Sequence, residues 1–407
     1  MKLGKAPGPD GLSAKYYKTL KDWLIHPLAD VCNKILRGEK APETWKDAYI
    51  TLIPKLDHDR SDVKNYRPIS LLNVDYKIFA NILANRLKKV LTEYIYKDQT
   101  GFLLGRHMID NNGNLIDILE RLEAKRNCKA LLMFIDAEKA FDNISWLFME
   151  RNLERIEFGQ EFLNSIKAIY SEQKAKIIVN NVVSEEIRIE KGTRQGCLLS
   201  ALLFISVLEV LLNMLRKEEE VKGIVVGSKQ YKLKAFPDDL VLTLQDPETS
   251  AIKALEMIQE FGQVAGFKLN KSKTKVLGGK LDNDERRIFI EKTGLTFSKK
   301  VKYLGVNLTV KNLYKDNYVK VGDEIKRELE IWTNLKLTLM GQILVIKMNV
   351  LPKVLFLFQT LLIIDNIKCF KEWQKELSKF IWQGKSPRIK YKLLTDVRER
   401  GGFPCQI

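Results

Sequence analysis

The sequence predicts an α+β fold with a helical and looped front, a strand-rich middle and a helical back. Three observations carry this. Apolar residues recur at helical spacing before residue 130, short apolar or alternating runs crowd between 130 and 309, and the strand pattern is lost beyond about Thr309.

The elements follow in chain order. Gly4 to Gly11 (GKAPGPDG) is a turn cluster, because Pro, Gly and Asp suppress helix. Ser13 is placed to cap a helix running to about Arg37. Ala48–Ile53 reads as a strand stopped by Pro54. A helix is expected over Asp75–Tyr94, where Ile78, Phe79, Ile82, Leu83, Leu87, Val90 and Leu91 form one stripe, and another over Ile109–Arg126. Ala130–Ile135 (ALLMFI) is wholly apolar, which suits a central strand covered on both faces. Ser145–Ile156 and Gln160–Tyr170 read as helices. Lys174–Val179 and Glu185–Glu190 alternate around Asn180-Asn181, the pattern of a hairpin. Ser200–Arg216 is an apolar-rich helix, Tyr231–Phe236 and Leu240–Leu244 are strands flanking Pro237-Asp238-Asp239, Glu248–Ala265 is a helix and Val301–Leu308 a strand.

The chain has 407 residues, 45% of them hydrophobic, enough to bury a full core and to form two to four structural units. Its net charge of +17 points to a polyanionic partner. Five scattered cysteines (Cys32, Cys128, Cys197, Cys369, Cys405) without a C-x-x-C argue against a disulfide framework. His26, His58 and His107 are equally scattered, so neither a zinc site nor a Ser-His-Asp triad is expected. Any metal should be a hard ion held by carboxylates. No targeting segment is expected at the start, and the apolar stretch Val354–Ile364 is shorter than the ~18 residues of a membrane span.

Asp136 ends the apolar strand, and Asp238 and Asp239 sit in a tight connection between two others. Asp is a favoured turn residue, so the Asp238-Asp239 pair alone fits a turn as well as a site. Asp136 at a buried strand end shifts the balance, because acids there are costly unless a cation or partner charge offsets them. Three such acids suit two Mg²⁺ ions about 3.5–4 Å apart, the arrangement of phosphoryl and nucleotidyl transfer.

The segments Phe134–Asp142 (FIDAEKAFD), Gly192–Phe204 (GTRQGCLLSALLF) and Ala235–Leu240 (AFPDDL), in that order, resemble a reverse transcriptase palm, most closely that of LINE-type non-LTR retrotransposons. Supporting stretches are KAPGPDG (5–11), ITLIPK (50–55), NYRPISL (65–71), DQTGF (98–102), GFKLNKSKT (266–274), KYLGVNLT (302–309) and LPKV (351–354). The resemblance covers essentially the whole chain. It implies a right-hand polymerase: fingers and N-terminal extension at 1–129, a palm with an antiparallel sheet at 130–309, and a helical thumb at 310–407. The implied activity is RNA-directed DNA synthesis from dNTPs on an RNA template and DNA primer, with two Mg²⁺ ions or Mn²⁺. No membrane is implied, the location is intracellular in nucleus and cytoplasm, and the oligomeric state stays open.

Position by position, the resemblance implies metal ligation by Asp136, Asp238 and Asp239, with a carbonyl ligand at Ala137 or Ile135. Phe141 matches the aromatic gate beneath the sugar, while Asp142 is expected to cap the next helix. Gln195 and Gly196 match residues around the incoming nucleotide, and Arg194 is expected at phosphate or template, or in a surface ion pair. Lys55 and Arg67 match basic positions facing the triphosphate. Lys273 matches a general acid for pyrophosphate, with Lys271 and Lys275 as competing neighbours. Tyr303-Leu304-Gly305 matches the primer grip, and Lys326, Arg327, Lys336, Lys347 and Lys353 are expected to track duplex backbone.

Three departures matter. Pro237 stands where the family has a small residue, and its fixed φ is expected to tilt Asp238 and Asp239 out of metal geometry. Leu198 and Ala201 stand where the family carries prolines, so that loop is expected to be less rigid. From fingers at its start to Gly401–Cys405 at its end, the chain is expected to carry neither the endonuclease that precedes the polymerase in such elements nor the cysteine-rich tail that follows it. The expectation is an element fragment that keeps the fold with impaired activity. The alternatives are a noncatalytic nucleic-acid-binding remnant and a group II intron maturase relative, and a nuclease using the same acids is the weakest reading.

Overall fold

Strand residues cluster in the middle of the chain because the apolar runs there are too short for helices and end in turn residues. The computed structural model describes residues 2–55, 59–124, 129–278, 280–361 and 367–389. Cys128, Cys405, His58, the end of the expected helix at Lys125 and Arg126, and residues 401–405 lie outside them. Cys32, Cys197 and Cys369 are free thiols.

The strands are β1 (Asp47–Pro54), β2 (Tyr66–Leu71), β3 (Leu131–Asp136), β4 (Gln173–Val179), β5 (Val182–Val183), β6 (Ile187–Ile189), β7 (Ile224–Val226), β8 (Lys229–Tyr231), β9 (Leu233–Phe236), β10 (Asp239–Leu244), β11 (Lys275–Gly278), β12 (Thr296–Phe297), β13 (Lys300–Tyr303) and β14 (Val306–Thr309). One sheet has the order β2-β1-β4-β5, with β6 also on β4, and a second has the order β12-β11-β3-β10-β9. β13–β14 and β7–β8 are separate hairpins.

The chain divides into two compact units. The first comprises residues 1–107, 129–276 and 281–296. Its centre is β3, buried from Leu131 to Ile135, beside β10, buried from Leu240 to Leu244. The helices Leu198–Lys217 and Val74–Tyr94 also belong to it, and Leu199, Leu202, Leu203 and Phe204 of the former are fully buried. The second unit comprises residues 108–128, 277–280 and 297–407. There Ile325, Leu329, Val345, Ile346, Val350, Val354, Leu377 and Phe380 form a helical core. Gly322 lets Trp373 lie on the helix backbone, since a Cβ would come 2.4 Å from its Nε1.

Several expectations are corrected. The first helix is two, Ala14–Thr19 and Lys21–Leu36, broken at Leu20, and Ser13 precedes it without a side-chain capping bond. Tyr231–Phe236 divides at Lys232, because Tyr231 pairs with β7 while Leu233–Phe236 pairs with β10. Val301–Leu308 is a hairpin rather than one strand, since Leu304 and Gly305 both take positive φ (43° and 84°). That is the backbone of a two-residue hairpin turn. Asn180 and Asn181 turn in the same way, as predicted (φ 50° and 64°). Two helices, Leu198–Lys217 and Leu339–Thr360, are long and apolar enough to cross a membrane by length and composition, contrary to the reading from Val354–Ile364. The first is largely buried in the protein core.

Candidate active site

β10 pairs antiparallel with β3 and places Asp239 directly opposite Asp136, while Asp239 also faces Phe236 across the Pro237-Asp238 turn. Cross-strand partners share one face of a sheet, so two carboxylates meet at the end of the buried strand pair. Asp238 and Asp239 present accessible surface, yet the protein around them desolvates both carboxyls. Burial pushes Asp239 up to about 6, helped by repulsion from Asp238 and Asp136. Asp238 is raised by burial and by Asp136, with Arg67 pulling it back down. Asp136 is raised by burial, against the opposing pull of Lys273, Lys55 and a hydrogen bond from Asn270. Such a set of crowded hard oxygens has the chemistry to welcome a divalent cation. The three acids are not drawn together as ligands, however, and among the described residues no group of three His, Cys, Asp or Glu side chains forms a ready-made metal cluster. Asp239 lies in β10 opposite Asp136, whereas Asp238 lies in the turn that precedes it.

The loop Leu269–Thr274 is strapped to the end of β3. Asn270 N donates to Asp136 O (2.8 Å), Asp136 N donates to Thr274 Oγ1 (3.2 Å), and Ala137 bridges Leu269. Within this loop Lys273 turns back on Asn270 (N to O, 3.2 Å). Its charge acts on Asp136. Lys55 is held by backbone pairing with Asn65 and by Nζ donating to Lys64 O (2.9 Å). Arg67 lies opposite Ile53 in β2 and is exposed.

Beside the acids, residues 192–196 fold against 141–144. Thr193 N donates to Phe141 O (2.6 Å), Gly192 N to Ile144 O (2.7 Å) and Gln195 Nε2 to Asp142 Oδ1 (3.0 Å). The half-buried Phe141 ring stacks on Phe204 with centroids 4.4 Å apart. Ser70 N donates to Gln195 O (2.9 Å), which ties β2 to this segment. Gly196 has φ +111°, and a Cβ there would press on Ser70 O at 3.1 Å, so glycine is required.

Three expectations change here. Asp142 does not cap the next helix. It lies within the short helix Ala140–Asn143 and accepts from Gln195, while Ser145 caps the helix Trp146–Arg155. Arg194 is an interior residue rather than part of a surface ion pair. It is 4% exposed, donates to Gln173 Oε1, Trp45 O and Lys46 O (3.1, 3.1 and 2.6 Å) and lies over the Tyr76 ring. Leu198 and Ala201 occupy the first turn of a helix rather than a loop, where a proline would also be accommodated.

In the second unit, the Tyr303-Leu304-Gly305 turn is built around a buried Tyr303. A Cβ on Gly305 would come 2.8 Å from Phe356 Cζ. A groove of about 360 Å³ beside it is lined by Lys302, Asn307, Lys320, Lys353 and Phe356. Lys326, Arg327 and Lys336 are exposed and Lys347 half-buried, while Lys353 is paired with Glu328.

Residues 53–308 match the family described as Reverse transcriptase (RNA-dependent DNA polymerase). The chain belongs to this family. Among the relatives of this reverse transcriptase are the Transposon TX1 uncharacterized 149 kDa protein of Xenopus laevis (28% identical over 393 residues, 95% of this chain and 29% of that protein) and the Pol polyprotein of the type-1 retrotransposable element R2 of Nasonia vitripennis (27% over 328 residues, 78% and 30%). Another is the RNA-directed DNA polymerase from mobile element jockey of Drosophila melanogaster (31% over 205 residues, 50% and 22%). The chain thus spans less than a third of the length of these relatives. Its similarity to the solved telomerase of Candida albicans has a TM-score of 0.45 at 11% identity, over 92% of this chain and 64% of that one. The LINE-type resemblance stands, and the mixture of helices and strands agrees with the expected α+β class.

The reverse transcriptase brings Asp136, Asp238, Asp239, Lys273, Lys55 and Arg67 into one electrostatic neighbourhood. Phe141 and Gln195 belong to a second, hydrogen-bonded group, with Gly196 packed close to Ser70. Sequence reasoning gave no role to Asn270 and Thr274, although both stand in the quoted GFKLNKSKT stretch. It also missed Thr193, whose neighbour Gly192 was the available signal for a close approach to Asp142.

Proposed function

We propose that this reverse transcriptase domain extends a DNA primer on an RNA template from dNTPs, by nucleotidyl transfer with two bound Mg²⁺ or Mn²⁺ ions. The observation that carries the reading is the register pair Asp239–Asp136, with the charges of Lys273 and Lys55 acting on Asp136 and that of Arg67 on the adjacent Asp238. Asp136, Asp238, Asp239 and the Ala137 carbonyl are the residues that would hold the cations, which supply charge neutralisation and an activated oxygen. Lys55 and Arg67 bind the triphosphate, and Lys273 carries a proton for the departing pyrophosphate. Phe141, stacked on Phe204, excludes a ribose 2′-hydroxyl, while Gln195 and Gly196 border the nucleotide. Tyr303, Leu304 and Gly305 hold the primer end. The fingers, palm and thumb correspond to 1–129, 130–309 and 310–407, and the domain works inside the cell without a membrane.

Primer extension on poly(rA)·oligo(dT) with Mg²⁺ or Mn²⁺ tests this. Synthesis abolished by Asp136→Asn supports it, and duplex binding without synthesis under either cation overturns it in favour of a noncatalytic remnant. Pro237 lowers the rate in this reading, so Pro237→Ala should raise it. An unchanged rate removes Pro237 as the limiting lesion.

A further inference from the structure

The aspartate hairpin β9–β10 would be the edge of its sheet were it not covered on the outer side by residues 96–101. Ala235 N donates to Asp98 O (2.9 Å), Thr100 N donates to Ala235 O (3.0 Å), and Gln99 bridges Ala235 in parallel. The same segment presses on the turn itself. Gly101 is packed so tightly on the buried Pro237 that a Cβ would stand 2.2 Å from its Cδ.

Two arginines anchor this segment. Arg106 donates to the carbonyls of Thr92, Ile95, Tyr96 and Gln99. Arg216, at the end of the helix Leu198–Lys217, grips Asp98 with two nitrogens (Nε to Oδ2, 2.9 Å). Arg216 also donates to Glu209 Oε1 (2.7 Å) and to Asn213 Oδ1 (2.6 Å), and its guanidinium lies 4.9 Å from the Tyr96 ring centre. Glu209 is 1% exposed and accepts from Tyr96 N (3.1 Å). On the other side Lys232, immediately before β9, donates to Arg216 O (2.9 Å) and Glu218 O (2.6 Å). A continuous set of bonds therefore runs from a core helix through Asp98 to the strand that leads into the Pro237-Asp238 turn.

We infer that Arg216 is a positioning residue of the aspartate hairpin, acting through Asp98 and the covering segment 96–101. It touches no substrate. A planar fork paired bidentately with a carboxylate sets direction as well as distance, which a lysine point charge cannot do. The catalytic importance of the hairpin rests on the proposed function, whereas the mechanical link does not.

Hydrogen exchange on the nucleic-acid-free chain, followed segment by segment in Arg216→Lys and Asp98→Asn, reads that link without catalysis. Exchange over residues 233–244 should quicken ~10-fold while β1 and β2 stay unchanged, the signature of local opening. Asp98→Asn keeps the test available if Arg216→Lys does not fold. Asn152→Ala, which removes a buried bond to Ser206 O (3.1 Å) far along the chain from the hairpin, controls for general destabilisation and should leave the relative rates unchanged. In primer extension, both hairpin variants should lose kcat by roughly 10²-fold, the scale expected for misplaced reacting groups, with little change in template–primer KM. A hairpin that exchanges no faster than β1 and β2, or that Asn152→Ala loosens equally, overturns the inference. An inactive wild type with a selectively loosened hairpin in the variants would refute the proposed function and leave the positioning role standing.

Discussion

Replacing Asp239 with Asn should make the metal-free protein more stable at neutral pH. The native fold holds this carboxyl where burial, Asp238 and Asp136 raise its pKa from 3.8 to about 6. Ionised Asp239 is therefore a burden that the unfolded chain does not carry. The cost is absent below the unfolded value, grows as pH rises from 3.8 towards 6, and is complete above about 6. A shift of about two pH units corresponds to about 3 kcal/mol at full strength. The side chain presents accessible surface, and solvent screening reduces the recoverable part to about 1 kcal/mol. For a unit of this size that is about 3 °C in Tm. Thermal unfolding in chelator is the assay, at about pH 7.5 and again at about pH 4, where the gain should shrink towards zero. Adding Mn²⁺ should reverse the order, because a cation is attracted more strongly by two or three carboxylates than by one fewer. A lower Tm for Asp239→Asn at neutral pH, or an equal gain at both pH values, would refute the charge argument and point to the turn backbone instead.

Arg194→Ala should cost about 3 kcal/mol in urea unfolding, since it removes the donors to buried Gln173 Oε1 and the Trp45 carbonyl and leaves the Lys46 carbonyl with only its bond from Lys174 N. It should not change the salt slope of duplex binding, and a reduced slope would restore a phosphate contact. Phe141→Ala should destabilise by about 2 kcal/mol through the lost stack on Phe204 and should admit ribonucleotides in single-nucleotide incorporation assays. Unaltered sugar discrimination would leave Phe141 as core packing alone. Gly196→Ala should cost about 1–3 kcal/mol because of its positive φ and should raise the dNTP KM, and a neutral effect on both would place the nucleotide elsewhere.

Much of the fold was legible because the signals were local. Ala130–Ile135 is apolar at every position, a short run that suits a strand covered on both faces, and β3 is Leu131–Asp136. Asn180-Asn181 announces a two-residue turn because Asn tolerates positive φ. The turn at Leu304-Gly305 was hidden inside an apparent single strand because leucine rarely adopts φ near 43°. The split at Lys232 was equally hidden, since its two halves differ only in which neighbour they pair with. Arg194 reads as a basic surface residue beside a motif, and only its enclosure by Trp45, Lys46, Gln173 and Tyr76 shows a structural role.

By itself the sequence determined the family and most of the elements, and it singled out Asp136, Asp238 and Asp239 as candidates. Apolar periodicity, turn residues and ordered motifs are written over short spans of chain. Only the tertiary structure decided that Asp239 stands opposite Asp136, that the loop carrying Asn270 and Thr274 is strapped to Asp136, and that Arg216 ties a core helix to the segment covering the hairpin. Those decisions join residues up to 138 positions apart, as for Asp136 and Thr274. Strand register and buried charge pairing arise when distant segments meet, and no local pattern encodes them.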